Sequence, residues 1–272
     1  MINEKPLLAF SSHYSLGQSI LTLDPPKKKG GKIITEIDDD YPVSIPVIAE
    51  RFDIKQTIIV ENTFTGYWEL YKSFREVGRP YVFGWKVAVA TDCEQKDDQS
   101  ALTESNIIIF LKNSDSYYKI VKWVTKANTT NQDKVGRLSW EDLQELYDPE
   151  FFEIGVSFYS GFIARNLLRL GGSAAPKWGK IKPILFIQQQ GIPFDNLIKE
   201  ATVKYAKANK LQMMDYHQCY YYKTGDIEAY QTFRCIQNRS TLQKPELSNF
   251  CSSEFSFEGY VRKFESEKIN LL

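Results

Sequence analysis

Seven short runs of β-branched and aromatic residues, most followed by a segment with helical spacing, constrain this chain more than any other feature. They lie at Leu7–Ser12, Thr57–Glu61, Tyr81–Thr91, Asn106–Lys112, Phe151–Phe158, Pro183–Gln189 and Leu211–Tyr221. Several are apolar almost throughout, as strands covered on both faces should be. Between them, Ile45, Ile48, Ala49 and Phe52 share one helical side, and Trp68, Tyr71, Phe74 and Val77 group in the same way. A third helical segment carries Ile120, Val121 and Val124 on one face. A fourth starts at Ser139 with Asp142 three residues on, close to a capping box, and Asp195 opens a fifth. Strand–helix alternation of this kind predicts an α/β fold with a parallel sheet closed, or nearly closed, into a barrel. A doubly wound open sheet fits the pattern less well. With no internal repeat and no low-complexity linker, residues 1–272 are expected to form one domain, ending in a helical extension from about 240 to 272.

One segment interrupts the alternation. Residues 20–42 hold two β-like stretches, Ile20–Asp24 and Lys32–Ile37, around a Pro/Lys/Gly turn, followed by Asp38, Asp39 and Asp40. This reads as an inserted β-hairpin near the N-terminus, with Gly30 and Gly31 making the reversal. Lys27, Lys28, Lys29 and Lys32 crowd its tip. They would serve either as a small phosphate-contacting patch or as a solvated turn whose charge the aspartates offset, and no aromatic residue for base stacking interleaves them.

Charge and cysteine usage exclude several classes. Lys+Arg and Asp+Glu both number 34, so any contact with nucleic acid must come from a local patch. Four cysteines (Cys93, Cys219, Cys235 and Cys251) are widely spaced, which argues against a zinc ribbon and a disulfide scaffold. No run of about 18 apolar residues occurs, and a cytoplasmic, reduced setting without membrane contact is expected. Ser11, Ser12 and His13 are adjacent but lack the third group and the elbow of a nucleophilic serine. Gly30-Gly31 and Gly171-Gly172 form no phosphate-loop fingerprint. Tyr216, Tyr220, Tyr221 and Tyr222 could stack bases, though aromatic barrel-wall positions account for them as well.

Four stretches resemble the PHP domain of bacterial DNA polymerase III alpha subunits, in that domain's order and at nearly its spacings. LLAFSSHYSL is similar to the first strand of that domain. TIIVENTFTGYWELYKSFREVGRPYVFGWKVAVA and NIIIFLKNSDSYYKIVKWVTKAN are similar to its next two blocks, and the run from Phe186 through QQQGIP to HQCYY and AYQTFRCI follows its closing portion. The resemblance spans about Leu7 to Ile236 and implies a PHP-type (β/α)7 barrel. In active members a cluster of His, Asp, Glu and Cys ligands holds metal ions at the strand C-terminal ends for phosphoester hydrolysis.

At those ligand positions the resemblance places Ala9, Ser11, Glu61 (or Val60), Lys86, Asn106, Phe158, Gln190, Gln218 and Tyr220. Only Glu61 retains a metal-binding group. Lys86 would bring a positive charge to the site, Phe158 and Tyr220 would fill it, and the whole chain has two histidines. Lys86 is expected within salt-bridge reach of Glu61 or another carboxylate, with Gln190, Gln218 and Asn106 hydrogen-bonded around them. No metal, no cofactor and no catalytic residue is therefore expected. Lacking the palm, thumb and fingers that follow a PHP domain, the chain should not polymerise DNA by itself. The resemblance implies a non-catalytic replication module that docks onto a separate polymerase or proofreading exonuclease polypeptide. Two alternatives stay open: a metal-dependent phosphoesterase or exonuclease with a remodelled site using Glu61 and carboxylates such as Asp215, and a free-standing DNA-binding accessory protein acting through the lysine turn.

Overall fold

The structure, a computed structural model, describes residues 6–37, 42–168, 174–243 and 252–265. Asp38 to Asp40, Gly171, Gly172, Cys251 and parts of the C-terminal extension lie outside the described residues. The strands are β1 (Leu7–Phe10), β2 (Lys28–Lys29), β3 (Lys32–Ile33), β4 (Thr57–Glu61), β5 (Tyr81–Ala90), β6 (Ser105–Leu111), β7 (Arg137–Ser139), β8 (Phe152–Val156), β9 (Ile184–Ile187) and β10 (Met213–Cys219). The helices are α1 (Ile45–Arg51), α2 (Tyr67–Val77), α3 (Asp98–Thr103), α4 (Asp115–Asn128), α5 (Trp140–Leu146), α6 (Phe162–Leu168), α7 (Asp195–Asn209), α8 (Ile227–Asn238) and α9 (Phe257–Phe264).

Seven strands pair in the order β4-β1-β10-β9-β8-β6-β5, and β5 pairs back to β4, which closes the barrel; β7 adds an eighth strand beside β5. Each of the seven runs read from the sequence became one barrel strand. Their directions are not uniform, however. β1 is parallel to β10 and β4, and β9 is parallel to β8 and β10, but β6 runs antiparallel to both β5 and β8. The wholly parallel sheet is corrected at this point. An antiparallel neighbour needs no crossover to the far end of the sheet. The 91–104 connection accordingly holds only the short α3 and returns to the end it left, with Ser105 opposite Val89. Every residue of β4 is buried, and in β6 only Asn106 is not, which is why these runs read as continuously apolar. Burying a side chain such as Ile107 or Ile109 contributes about 1.5–3 kcal/mol.

The chain divides into two compact units interleaved in sequence, one of residues 1–83, 189–193 and 216–272 and the other of 84–188 and 194–215. In the first unit, Phe257 of α9 packs its ring edge-on to Phe52 at 4.8 Å and 5.8 Å from Phe10. Ser256 caps α9 by accepting a hydrogen bond from Gly259 N (2.9 Å), and Phe255, Phe257 and Val261 are buried. The described part of the C-terminal extension thus belongs to the core of this unit.

The inserted hairpin is smaller than expected. Only Lys28–Lys29 and Lys32–Ile33 pair, around Gly30 and Gly31 at φ of 58° and 78°, a left-handed turn that glycine adopts without strain. The stretch Ile20–Asp24 is not its second strand. Leu21 and Leu23 are buried, and Thr22 N donates to Val43 O at 2.9 Å.

In the second unit, Trp123 lies 4.8 Å from Phe152 and Trp140 packs edge-on to Trp178 at 4.9 Å. Ser139 and Asp142 form the expected capping box at the start of α5, with both bonds at 3.0 Å. Arg137 on β7 is fully buried. Its guanidinium donates to Gln95 O (2.6 Å), Ser100 Oγ (2.8 Å), Asn131 O (3.1 Å) and Glu104 (3.3 Å).

Candidate functional site

In the first unit, six of the nine singled-out positions sit at or just beyond strand C-terminal ends, and a polar network built on two glutamines joins several of them. Gln190 follows β9 and Gln218 lies near the end of β10; both are buried. The Gln190 side-chain amide copies a strand's hydrogen-bonding edge. Its Oε1 accepts from Gln218 N at 3.1 Å and its Nε2 donates to Gln218 O at 2.9 Å and to Glu254 O at 2.9 Å. The Gln218 side chain in turn donates to Ser11 Oγ (3.2 Å) and to Ala9 O (3.4 Å), and its Oε1 accepts from the Tyr216 hydroxyl at 2.5 Å. Ser11 passes its own proton to Val60 O at 2.6 Å. Every amide group here is spent on protein partners.

His217 stands beside this network, 3.4 Å from Gln190 Nε2 and in ring contact with Tyr260 and Phe264. Burial, with a smaller push from the Lys263 charge, lowers its pKa to about 3, so it is neutral. Tyr220 turns into an aromatic stack between Tyr230 and Phe255, at 5.4 Å from each, and burial pushes its hydroxyl to about 12. Tyr216, Tyr221 and Tyr222 are buried too, so this tyrosine cluster serves packing rather than base stacking.

Glu61, at the end of β4, is 1% exposed. Its Oε1 accepts from Ser12 N at 2.8 Å and its Oε2 from the Ser15 hydroxyl, while Ser15 Oγ accepts from Asn62 N at 2.8 Å. Burial raises its pKa to about 7, against the hydrogen bonds from Ser15 and Ser12, which pull it down. Hydrogen-bond donors from Ser12 and Ser15 therefore answer this carboxyl. Ser15 escaped the sequence reading: a serine in a loop carries no signal until the fold brings it to a carboxylate 46 positions away.

The remaining three positions lie in the second unit. Lys86 is half-buried on β5 opposite Ile108, and Asn106 sits opposite Ala88 with its N–H donating to Ser160 O at 3.0 Å. Phe158 is buried against Ala164, Ile187 and Ile198. Asp215 is exposed on β10.

The resemblance implies a metal cluster, and the residues present do not fit one. Ala9 offers no donor, Gln190 and Gln218 are committed to each other, and Glu61 has both oxygens engaged. Among the described residues, no three His, Cys, Asp or Glu side chains converge as metal ligands would. Nor is any helix among them long and apolar enough to cross a membrane.

No family model matches the chain, and no curated protein does. A solved structure that resembles it is described as a candidate metal-dependent phosphoesterase from Bifidobacterium adolescentis, at 10% identity and a TM-score of 0.40, covering 78% of this chain and 88% of that one. A likeness so distant carries no weight for chemistry, and the barrel rests on the strand pairing described above.

Proposed function

We propose that this chain is a non-catalytic PHP-like module that docks onto a separate replication polypeptide, a DNA polymerase or proofreading exonuclease subunit. The observation that carries the non-catalytic part is the reciprocal pairing of Gln190 with the Gln218 backbone. A barrel that hydrolyses phosphoesters needs open, anionic or imidazole ligands at its strand ends, and these positions are closed by amides bonded to protein. The partner class follows from the sequence resemblance to DNA polymerase III alpha subunits.

The phosphoesterase alternative would need Glu61 to reach a metal or substrate. At 1% exposure, with Ser12 and Ser15 on its two oxygens, it is built into the protein instead. The test is a pair of measurements on the purified full chain. With manganese or zinc added, it should not hydrolyse bis(p-nitrophenyl) phosphate above the rate of free metal. Mixed with the polymerase alpha and proofreading subunits of its own host, it should co-elute with one of them. Metal-dependent hydrolysis that disappears in Glu61→Gln would overturn the non-catalytic reading, and failure to co-elute with either subunit would overturn the docking one.

A further inference from the structure

Helix α2 buries Leu70, Ser73 and Phe74 on one face, and the helical repeat puts Trp68, Tyr71, Lys72 and Arg75 together on the opposite face. The outer face of such a helix is ordinarily charged, yet the Trp68 indole here is 61% exposed. Phe74, which the sequence groups with Trp68, is buried instead. The Trp68 and Tyr71 rings lie 5.5 Å apart and within 20° of parallel, so they form one stacked pair with an outer face at each end. Cations flank it: the Lys72 ammonium is 5.7 Å from the Trp68 ring centre, and the Arg75 guanidinium is 6.0 Å from that of Tyr71.

The lysine turn contacts the same helix. Lys28 on β2 reaches Glu76 of the same helix at 2.8 Å, which places the turn against the C-terminal half of α2. Lys29 and Lys32 are direct cross-strand partners and share the hairpin's other face, both exposed. The two carboxylates of α2 are engaged, Glu69 by Lys72 and Glu76 by Lys28, so Arg75, Lys29 and Lys32 leave the surface cationic. Asp24 and Glu36 line a cleft of about 220 Å³ together with Lys27, Ile34 and Val47. The aromatic partner that the lysine turn lacks in sequence is supplied by α2, some 40 residues further on.

We infer that the outer face of α2 and the β2–β3 turn form a binding surface for single-stranded nucleic acid, with bases stacked on Trp68 and Tyr71 and phosphates held by Arg75, Lys29 and Lys32. Exposed aromatic faces bordered by flexible cations are what an unpaired strand requires. A duplex keeps its base faces hidden, and a lipid surface would use the cations but leave the parallel rings without partners. The surface lies wholly within the first unit and owes nothing to the docking reading, so either can fail without the other.

The experiment measures fluorescence anisotropy of a labelled oligothymidylate with the purified full chain, across a salt series, beside a duplex of equal length. The single strand should bind more tightly than the duplex. Trp68→Ala/Tyr71→Ala should weaken binding about tenfold or more with little change in salt slope, and Trp68→Phe/Tyr71→Phe should restore most of it. Lys29→Ala/Lys32→Ala/Arg75→Ala should weaken binding and make the salt slope shallower by about 2, at roughly 0.7 per lost phosphate contact. Thermal melting of each variant checks that it is folded. No binding at low salt, equal affinity for the duplex, or full binding by the folded Trp68→Ala/Tyr71→Ala variant would overturn the inference. So would loss of co-elution with a protein partner in that variant while oligonucleotide binding stays unchanged.

Discussion

Glu61→Gln should abolish a fall in stability that burial of this carboxyl imposes on the wild-type chain between pH 4.5 and about 7. The folded protein raises the Glu61 pKa from its ordinary 4.5 to about 7, chiefly because burial disfavours the charged form. In the folded state the group therefore holds its proton where the unfolded chain has already released it. Its contribution is fully present below pH 4.5, declines as the pH climbs, and is gone above about 7. At about 1.4 kcal/mol per pH unit, that gap amounts to about 3 kcal/mol. Glutamine keeps an oxygen for Ser12 N, and its NH2 can donate to the Ser15 hydroxyl, so the variant should fold.

His217 acts in the opposite sense. Its pKa falls from 6.5 to about 3 in the folded state, so its contribution is present above pH 6.5 and is lost as the pH falls towards 3. Between pH 4.5 and 6.5 the two slopes oppose each other in the wild type. Glu61→Gln should unmask the histidine and make the variant steeply acid-sensitive. Urea unfolding followed by tryptophan fluorescence, at half-unit steps from about pH 4 to 8, gives both curves. Subtracting them cancels His217 and should leave a fall of about 3 kcal/mol from acid to neutral pH. A difference that stays flat across the range would mean that the serine bonds outweigh desolvation and keep Glu61 ionised, and the reasoning would be refuted.

Three further outcomes are expected. Gln190→Leu strands the buried N–H and C=O of Gln218 and should cost about 1–3 kcal/mol for each group left unpaired; a midpoint in urea equal to wild type would show the pairing to be idle. Arg137→Met removes a fully buried guanidinium and leaves the carbonyls of Gln95 and Asn131 without its hydrogen bonds, which should cost about 1–3 kcal/mol for each group left unpaired by the same assay, whereas Lys134→Ala, which breaks only an exposed pair with Asp98, should leave the midpoint in place. Manganese or zinc should not raise the melting temperature, since an ion that binds only the folded state must do so, and a rise that grows with metal concentration would contradict the closed-site account.

All seven barrel strands were legible because a strand buried on both faces leaves a long apolar trace. β7 left none. It is three residues long and begins with Arg137, whose charge suggests a surface and whose burial depends on carbonyls from Gln95 and Asn131 that only the folded chain assembles. Strand direction was equally silent, because an alternation pattern is the same read either way, and β6 was assigned to a parallel sheet for that reason. In α2 the helical period grouped Trp68, Tyr71, Phe74 and Val77. Packing buries Leu70 and Phe74 and leaves Trp68 outside. At the strand ends, the sequence set Gln190 and Gln218 around a Lys86–carboxylate pair, and the fold joins Gln190 to the Gln218 backbone and the Gln218 side chain to Ala9 and Ser11. The sequence could not show that Ser15 would answer Glu61, because that contact is set by how the loop after β1 folds back.

The strand-end site also bears on whether a single substitution could introduce metal binding. Strand ends expose backbone N–H and C=O groups that must find partners once buried. Gln190 meets that requirement for Gln218 and Glu254, Gln218 meets it for Ala9, and Ser11 for Val60. Gln190→His would remove two of these partnerships before it offered a nitrogen to a metal. The ion would find Ala9 without a donor and Glu61 largely protonated below neutrality, with both oxygens bonded to serines. Losing the amide pairing costs stability at once, while coordination repays nothing until several ligands are present together. These residues thus support one another as a unit, and introducing metal ligands one at a time would pass through forms less stable than the present network.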